Sequence, residues 1–197
     1  MLGSVSSAEP RDPLTGLLRL WRPDTPDAES GFTHFAPELA TPWLAPLPGD
    51  AVFLLFDLRR FGLVNYEHGH CFGDAFLGEI GSRLRDAATP WPAYRYGGDE
   101  FLVAARASTD ADVHTLASSI RAALERPYQG TAVRTWAVAA RAYEGETPEK
   151  LLNVLERAMA TVSENEWNDL LIAPPEADET GWFEMLGSWP GQRAPAG

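Results

Sequence analysis

The chain has 197 residues, is 45% hydrophobic and carries a formal net charge of -12, with a sequence pI near 4.7. That length and apolar content suffice for one core with residues left over. So acidic a surface repels a nucleic-acid backbone or an anionic membrane, both of which are bound through Lys and Arg, and neither is expected as a partner.

A small anion such as a nucleotide stays open, because divalent cations bridge carboxylates to phosphates where lysines are scarce. Lys150 is the only lysine in the chain. Cys71 is the only cysteine, so no intrachain disulfide forms and nothing asks for an oxidising compartment. The first residues lack a basic start followed by an apolar run, and no stretch has the length to span a bilayer. The expected location is cytoplasmic.

In chain order, residues 1–11 read as a flexible tail, and the fold is expected to begin at Asp12 with DPLTGLLRLW. The Pro-rich segment 22–50 excludes a long regular helix and reads as an irregular connection held by Phe32, Phe35, Trp43 and Leu44. AVFLLFDL, from Ala51 to Leu58, is a continuous apolar run that suits a strand buried on both faces. Phe72, Phe76, Ile80 and Leu84 then recur at helical spacing, predicting a helix from Gly73 to Arg85. Tyr94 to Tyr96 and Phe101 to Ala105 flank Gly97-Gly98-Asp99-Glu100, which reads as a hairpin whose glycines supply positive backbone angles.

A helix capped by Asp110 or Asp112 is expected to carry Val113, Leu116, Ile120 and Leu124 on its core face, and Pro127 stops it. A strand follows through Val133 to Ala142. Thr147-Pro148-Glu149 starts a last helix with Leu151, Leu155, Met159 and Val162 inward. Asp169 to Ala173 forms an edge strand, and 174–197 is a C-terminal tail. This order predicts an α+β fold with a mostly antiparallel central sheet flanked by helices.

Asp57 stands out in this pattern, because an ionised carboxylate at the end of a buried strand is costly unless cations or donors compensate it. A hairpin lying antiparallel beside that strand would bring Asp99 and Glu100 to it. Hard divalent cations take such an oxygen set, completed by a nucleotide triphosphate.

Arg95-Tyr96-Gly97-Gly98-Asp99-Glu100-Phe101 resembles the signature of GGDEF domains, the diguanylate cyclase family. Two further blocks occur in the family order: DPLTGL from Asp12, and FDLRRFGLVNYEHGHCFGDAFL from Phe56. With a weaker likeness in the C-terminal half, the resemblance covers most of residues 12–173 as one domain. The resemblance implies a palm-like nucleotide cyclase fold that condenses two GTP into cyclic di-GMP and pyrophosphate, with Mg²⁺ (or Mn²⁺) as cofactor and a homodimer needed for catalysis. It implies that Asp57, the carbonyl of Leu58, Asp99 and Glu100 hold the metal, and that Asp57, Asp99 and Glu100 are catalytic. It places Asn65 and Asp74 as guanine readers and His70 as a shaping residue near the base. Gly97 and Gly98 make room for the triphosphate, with Arg60 and Phe61 also at the substrate.

The same alignment shows departures. Ser163 and Trp167 stand where the family carries a lysine and an arginine on the β- and γ-phosphates, Gly62 replaces another lysine, and Arg59 replaces a second aspartate. Arg59 and Arg60 are either solvated, as arginines beyond a strand usually are, or substitute cations at the triphosphate. The alternative reading is therefore a catalytically degenerate domain that binds GTP or an unidentified protein partner. His68 and His70 read as a turn, not a metal pair; Trp136, Trp182 and Trp189 read as packing or tail anchors.

Overall fold

The computed structural model describes residues 11–19, 47–143, 145–166 and 168–173. The sequence expectations for Phe32, Phe35, Trp43, Leu44, Trp167, Trp182, Trp189, residues 1–10 and the C-terminal tail lie outside the described residues; Arg11, expected in the flexible tail, instead bridges Leu18. Among the described residues ten elements follow one another: β1 (Leu18–Arg19), β2 (Ala51–Leu58), α1 (Phe61–His68), α2 (His70–Ala88), β3 (Ala93–Arg95), β4 (Glu100–Arg106), α3 (Asp110–Leu124), β5 (Thr135–Arg141), α4 (Pro148–Glu164) and β6 (Leu171–Ala173). They form an α+β domain around one six-stranded sheet of order β1-β3-β4-β2-β5-β6. The central pairings β3–β4, β4–β2 and β2–β5 are antiparallel, while β1 and β6 join the edges parallel to their neighbours.

β2 is central, so its residues must be apolar on both sides, and Ala51 to Phe56 are all buried. Alternation divides them. Val52, Leu54, Phe56 and Leu58 join the core under α2 and α3, with Phe76, Ile80, Leu84, Val113 and Ile120. Phe53 and Leu55 join the core under α4, with Leu151, Leu155, Met159 and Val162. The sheet is thus covered on both faces, and side-chain parity decides which helix layer a residue meets.

Several local expectations are corrected. The helix expected from Gly73 begins at His70, and a separate α1 precedes it. FGLVNYEH has no strong apolar stripe, and α1 forms because Phe61 and Val64 drop into the core after Arg60 takes a left-handed conformation, φ 56°. The cap of α3 is Thr109, not Asp110 or Asp112. Its hydroxyl accepts from the Asp112 backbone N–H while the Asp112 carboxylate accepts from the Thr109 N–H, a reciprocal capping box. Thr147 caps α4 as the sequence implied, with Pro148 in the first turn.

The glycines of the β3–β4 turn are also corrected. Positive φ falls at Gly16, Gly69, Gly130 and Gly145 among the described glycines, not at Gly97 or Gly98. At Gly97 the constraint is space instead: a Cβ there would lie 2.3 Å from Glu100 Oε2 and would make that carboxylate shift. Gly98 faces open space.

Candidate active site

The C-terminal end of β2 meets the N-terminal ends of β4 and β5, and the acids singled out in the sequence gather there. Asp57 is the cross-strand partner of Glu100 on one side and of Trp136 on the other. Leu58 donates its backbone N–H to the carbonyl of Asp99 at 3.1 Å, which locks the turn against the strand end. Asp57 and Glu100 fall on the α4 face, since Leu55 and Leu102, two positions away on each strand, belong to the core under α4.

Three carboxylates crowded into a half-buried corner oppose each other's ionisation. Burial, then the charges of Asp99 and Glu100, push Asp57 up to about 7. Glu100 is raised by burial, Asp99 and Glu156. Asp99 is raised by burial, with its own backbone N–H and Arg95 working the other way. Among the described residues neither Asp57 nor Glu100 has an ion pair or hydrogen bond through its carboxylate. The corner is therefore an acidic site whose charge a proton or a divalent cation could compensate. Among the described residues no three His, Cys, Asp or Glu side chains close into a metal cage. A cation here fits a set of carboxylates and main-chain oxygen that leaves positions for a ligand's own oxygens.

Arg95 aims the turn from behind. Its guanidinium donates to the carbonyls of Gly97 and Gly98, the latter at 2.6 Å, and to Asp12 Oδ1 at 3.1 Å. Asp12 is only 3% exposed. Burial raises it, but hydrogen bonds from the Thr15 backbone and hydroxyl, together with Arg95, outweigh that and hold its carboxyl below the usual value. The DPLTGL loop that presents Asp12 turns at Gly16, whose φ of +67° suits glycine. Sequence reasoning quoted both blocks and missed this link. Its signal was an aspartate among buried neighbours and an arginine two residues before the turn.

A second missed contact ties the turn to α4. The Tyr96 hydroxyl donates to Glu156 Oε1, and burial together with that carboxylate raises the tyrosine well above its usual value.

On the opposite helix layer, Asn65 of α1 packs against α2 so closely that a Cβ on Gly73 would lie 1.8 Å from its Oδ1. Asp74 is the next residue and is exposed, as is His70. His68 instead contacts Thr131 Oγ1 at 3.2 Å and stacks on Phe72. Phe61 is buried in the core, so its side chain is withdrawn from any ligand and only its backbone can take part. Arg60 is exposed and pairs with Glu166 at 2.9 Å. Lys150 pairs with Glu146 at the other end of α4, and Ser163 turns its hydroxyl to the carbonyl of Ala160.

A sheet with an antiparallel centre, helices on both faces and acids at the end of its central strand defines a palm-like nucleotide cyclase fold. The chain belongs to the GGDEF family: the family described as "Diguanylate cyclase, GGDEF domain" matches residues 33–169. Among curated proteins it is 38% identical to the diguanylate cyclase DgcZ of Escherichia coli over 69 residues, 33% of this chain and 22% of that protein. It is 38% identical over 77 residues to the bifunctional diguanylate cyclase/cyclic di-GMP phosphodiesterase MucR of Pseudomonas aeruginosa, 39% of this chain and 11% of that protein. The chain thus spans less than a quarter of either. Among solved structures, the GGDEF domain of TpbB (YfiN) from Pseudomonas aeruginosa superposes with a TM-score of 0.62 at 26% identity, covering 84% of this chain and 95% of that one. The GGDEF domain of DgcB from Caulobacter crescentus, solved with c-di-GMP, gives 0.61 at 19% identity over 82% and 94%, a likeness of fold. Among the described residues no helix is long and apolar enough to cross a membrane.

Proposed function

We propose that this domain is a diguanylate cyclase: it binds GTP and condenses two molecules into cyclic di-GMP and pyrophosphate. The observation that carries the proposal is the cross-strand placement of Asp57 beside Glu100, with Asp99 bonded through its carbonyl to Leu58.

Asp57, Asp99 and the Leu58 carbonyl are the residues that would hold Mg²⁺ or Mn²⁺, with Glu100 beside them. When bound, the metal supplies Lewis-acid stabilisation of phosphate charge and lowers the cost of deprotonating a hydroxyl. The raised affinity of Glu100 for protons suits it to accept the proton of an attacking 3′-hydroxyl. Gly97 keeps the Glu100 carboxylate in place by leaving it room. Asp74 accepts the adjacent N–H donors of a guanine edge, and Asn65, wedged against Gly73, completes that edge with its amide; His70 lines the same opening. The turn glycines let a triphosphate lie along the backbone. One domain holds one GTP, so a homodimer with antiparallel half-sites completes the reaction, each 3′-hydroxyl attacking the α-phosphate of the other nucleotide.

The test is incubation of the chain with GTP and Mg²⁺ or Mn²⁺ at concentrations that populate dimers, with product read by mass spectrometry. Cyclic di-GMP from wild type and none from Asp57→Asn or Glu100→Gln is the expected result. A second reading, a silent GTP-binding module, is favoured by Ser163, whose hydroxyl is bound to its own helix where the family has a lysine. It is the conclusion if GTP binds without product. Failure to bind GTP at all refutes both.

A further inference from the structure

Arg59 differs from the other described cations near the acidic corner in having no carboxylate to neutralise it. Arg95 is committed to Asp12, Arg60 to Glu166 and Arg134 to Glu125. Arg59 Nη1 donates to a neutral acceptor, Asn168 Oδ1, at 2.6 Å. Its guanidinium carbon lies 4.9 Å from the centre of the Trp136 ring.

That placement is informative for two reasons. Trp136 is the direct cross-strand partner of Asp57, so its ring, with the guanidinium on it, belongs to the strand immediately beside the acidic corner. Asn168, which anchors the fork, immediately follows Trp167, the position at which the family arginine is missing. The backbone N–H of Arg59 is bonded to the Arg134 carbonyl at 2.8 Å, which fixes the root of the side chain. A planar cation held by a ring face and one amide oxygen keeps most of its donors available and loses little freedom on meeting a second acceptor.

We propose that Arg59 is the cation that binds the terminal phosphates of the nucleotide in this chain, taking from the end of β2 the role that the family places at the end of α4. Trp136 and Asn168 act as positioning residues that hold the guanidinium beside the Asp57 corner. The proposal rests on the assignment of this corner as a GTP site. It predicts that substrate discrimination by phosphate number resides in Arg59, because a guanidinium fork recognises phosphate oxygens and ignores the base.

The experiment is calorimetric titration of the full chain with GTP and with GMP at fixed, saturating Mg²⁺, for wild type, Arg59→Ala and Arg59→Lys, with thermal unfolding of each as a folding control. Loss of one charge-assisted contact corresponds to about ten- to hundredfold weaker GTP binding. Arg59→Ala should show that loss while binding GMP within about twofold of wild type, and Arg59→Lys should recover part of it. Wild-type GTP binding that Arg59→Ala leaves unchanged, or GMP binding weakened as much as GTP, overturns the role of Arg59 and leaves the cyclase assignment standing. Wild type that binds no GTP overturns both. Should Arg59→Ala unfold, the Arg59→Lys comparison decides: undiminished GTP affinity with an ammonium in place of the fork overturns the proposal.

Discussion

Replacing Asp57 by Asn should stabilise the metal-free protein, and the gain should depend on pH. Asp57 is raised from an ordinary 3.8 to about 7, so the folded state holds a proton between those values that the unfolded state has released. Stability then falls as pH rises through this window. Three units correspond to at most about 4 kcal/mol. The carboxylate is only half-buried, and water screens it, so about 1 to 2 kcal/mol is the expected cost at pH 8. Asn keeps the shape and removes the charge. In urea melts the variant should therefore be more stable than wild type by that amount at pH 8, by less than half of it at pH 5, and equal to it below pH 4. A shift of about 2 to 4 °C per kcal/mol should appear in thermal melts of a chain this size. Added Mg²⁺ should reverse the order at pH 8, raising wild type and leaving the variant unmoved, because only the ionised cluster binds the cation. A variant no more stable than wild type at pH 8, or a gain that is flat from pH 5 to 8, would refute the idea that the three acids crowd one another.

The turn gives a paired test. Gly97→Ala must displace the Glu100 carboxylate, from which its Cβ would be 2.3 Å, so Mg²⁺-dependent stabilisation should weaken about tenfold while folding changes by less than about 1 kcal/mol; Gly98→Ala, in open space, should match wild type in both measurements. Arg95→Met strips the buried Asp12 of its closest cation and should cost about 2 to 3 kcal/mol in urea unfolding at pH 7, somewhat below a full break because Thr15 still donates to Asp12. Asp12 is held low in the folded state, so its contribution is present above pH 4 and lost as pH falls through its folded value, and the variant's deficit should shrink on acidification. Gly73→Ala should raise helix stability by up to about 1 kcal/mol while driving Asn65 from its position. GTP affinity in a competition assay should drop about tenfold as the melting temperature holds or rises, a combination that a purely structural role for Asn65 does not produce.

The parts of the fold that sequence made legible are those where one physical signal dominates. β2 is apolar from Ala51 to Phe56 because both its faces are covered, and α4 starts where a hydroxyl, a proline and an acid coincide at Thr147 to Glu149. α1 was illegible, since Gly62, Asn65 and Tyr66 break any stripe and its formation depends on Phe61 and Val64 finding a core built by distant segments. The same holds at the site. The meeting of Asp57 with Glu100 follows from antiparallel pairing of two recognisable strands. The links from Arg95 to Asp12, 83 positions apart, and from Arg59 to Asn168, 109 apart, join segments whose proximity no local pattern encodes. The error over Gly97 has the same origin: its need for glycine comes from the Glu100 side chain and not from the turn's own dihedral angles.

The two halves of the proposed site lie on different layers. Asp57 and Glu100 face α4, whereas Asn65 and Asp74 sit on the helices that cover the other face of the sheet. A ligand that touches both must pass around the end of β2, over the connection that contains Arg59 and Arg60. This connection is rigid: Arg60 is left-handed, Leu58 and Phe61 are buried on either side of it, and both arginines are tied to residues 166 and 168. If the two regions hold one nucleotide as proposed, these anchors would set the span between its base and its phosphates. Under the proposed function, a guanidinium on that turn, held by Trp136 and Asn168, would offset phosphate charge without forming an ion pair with Asp57 or Glu100. The proposed role would give a physical reason for an arginine at position 59 beside a corner built from acids.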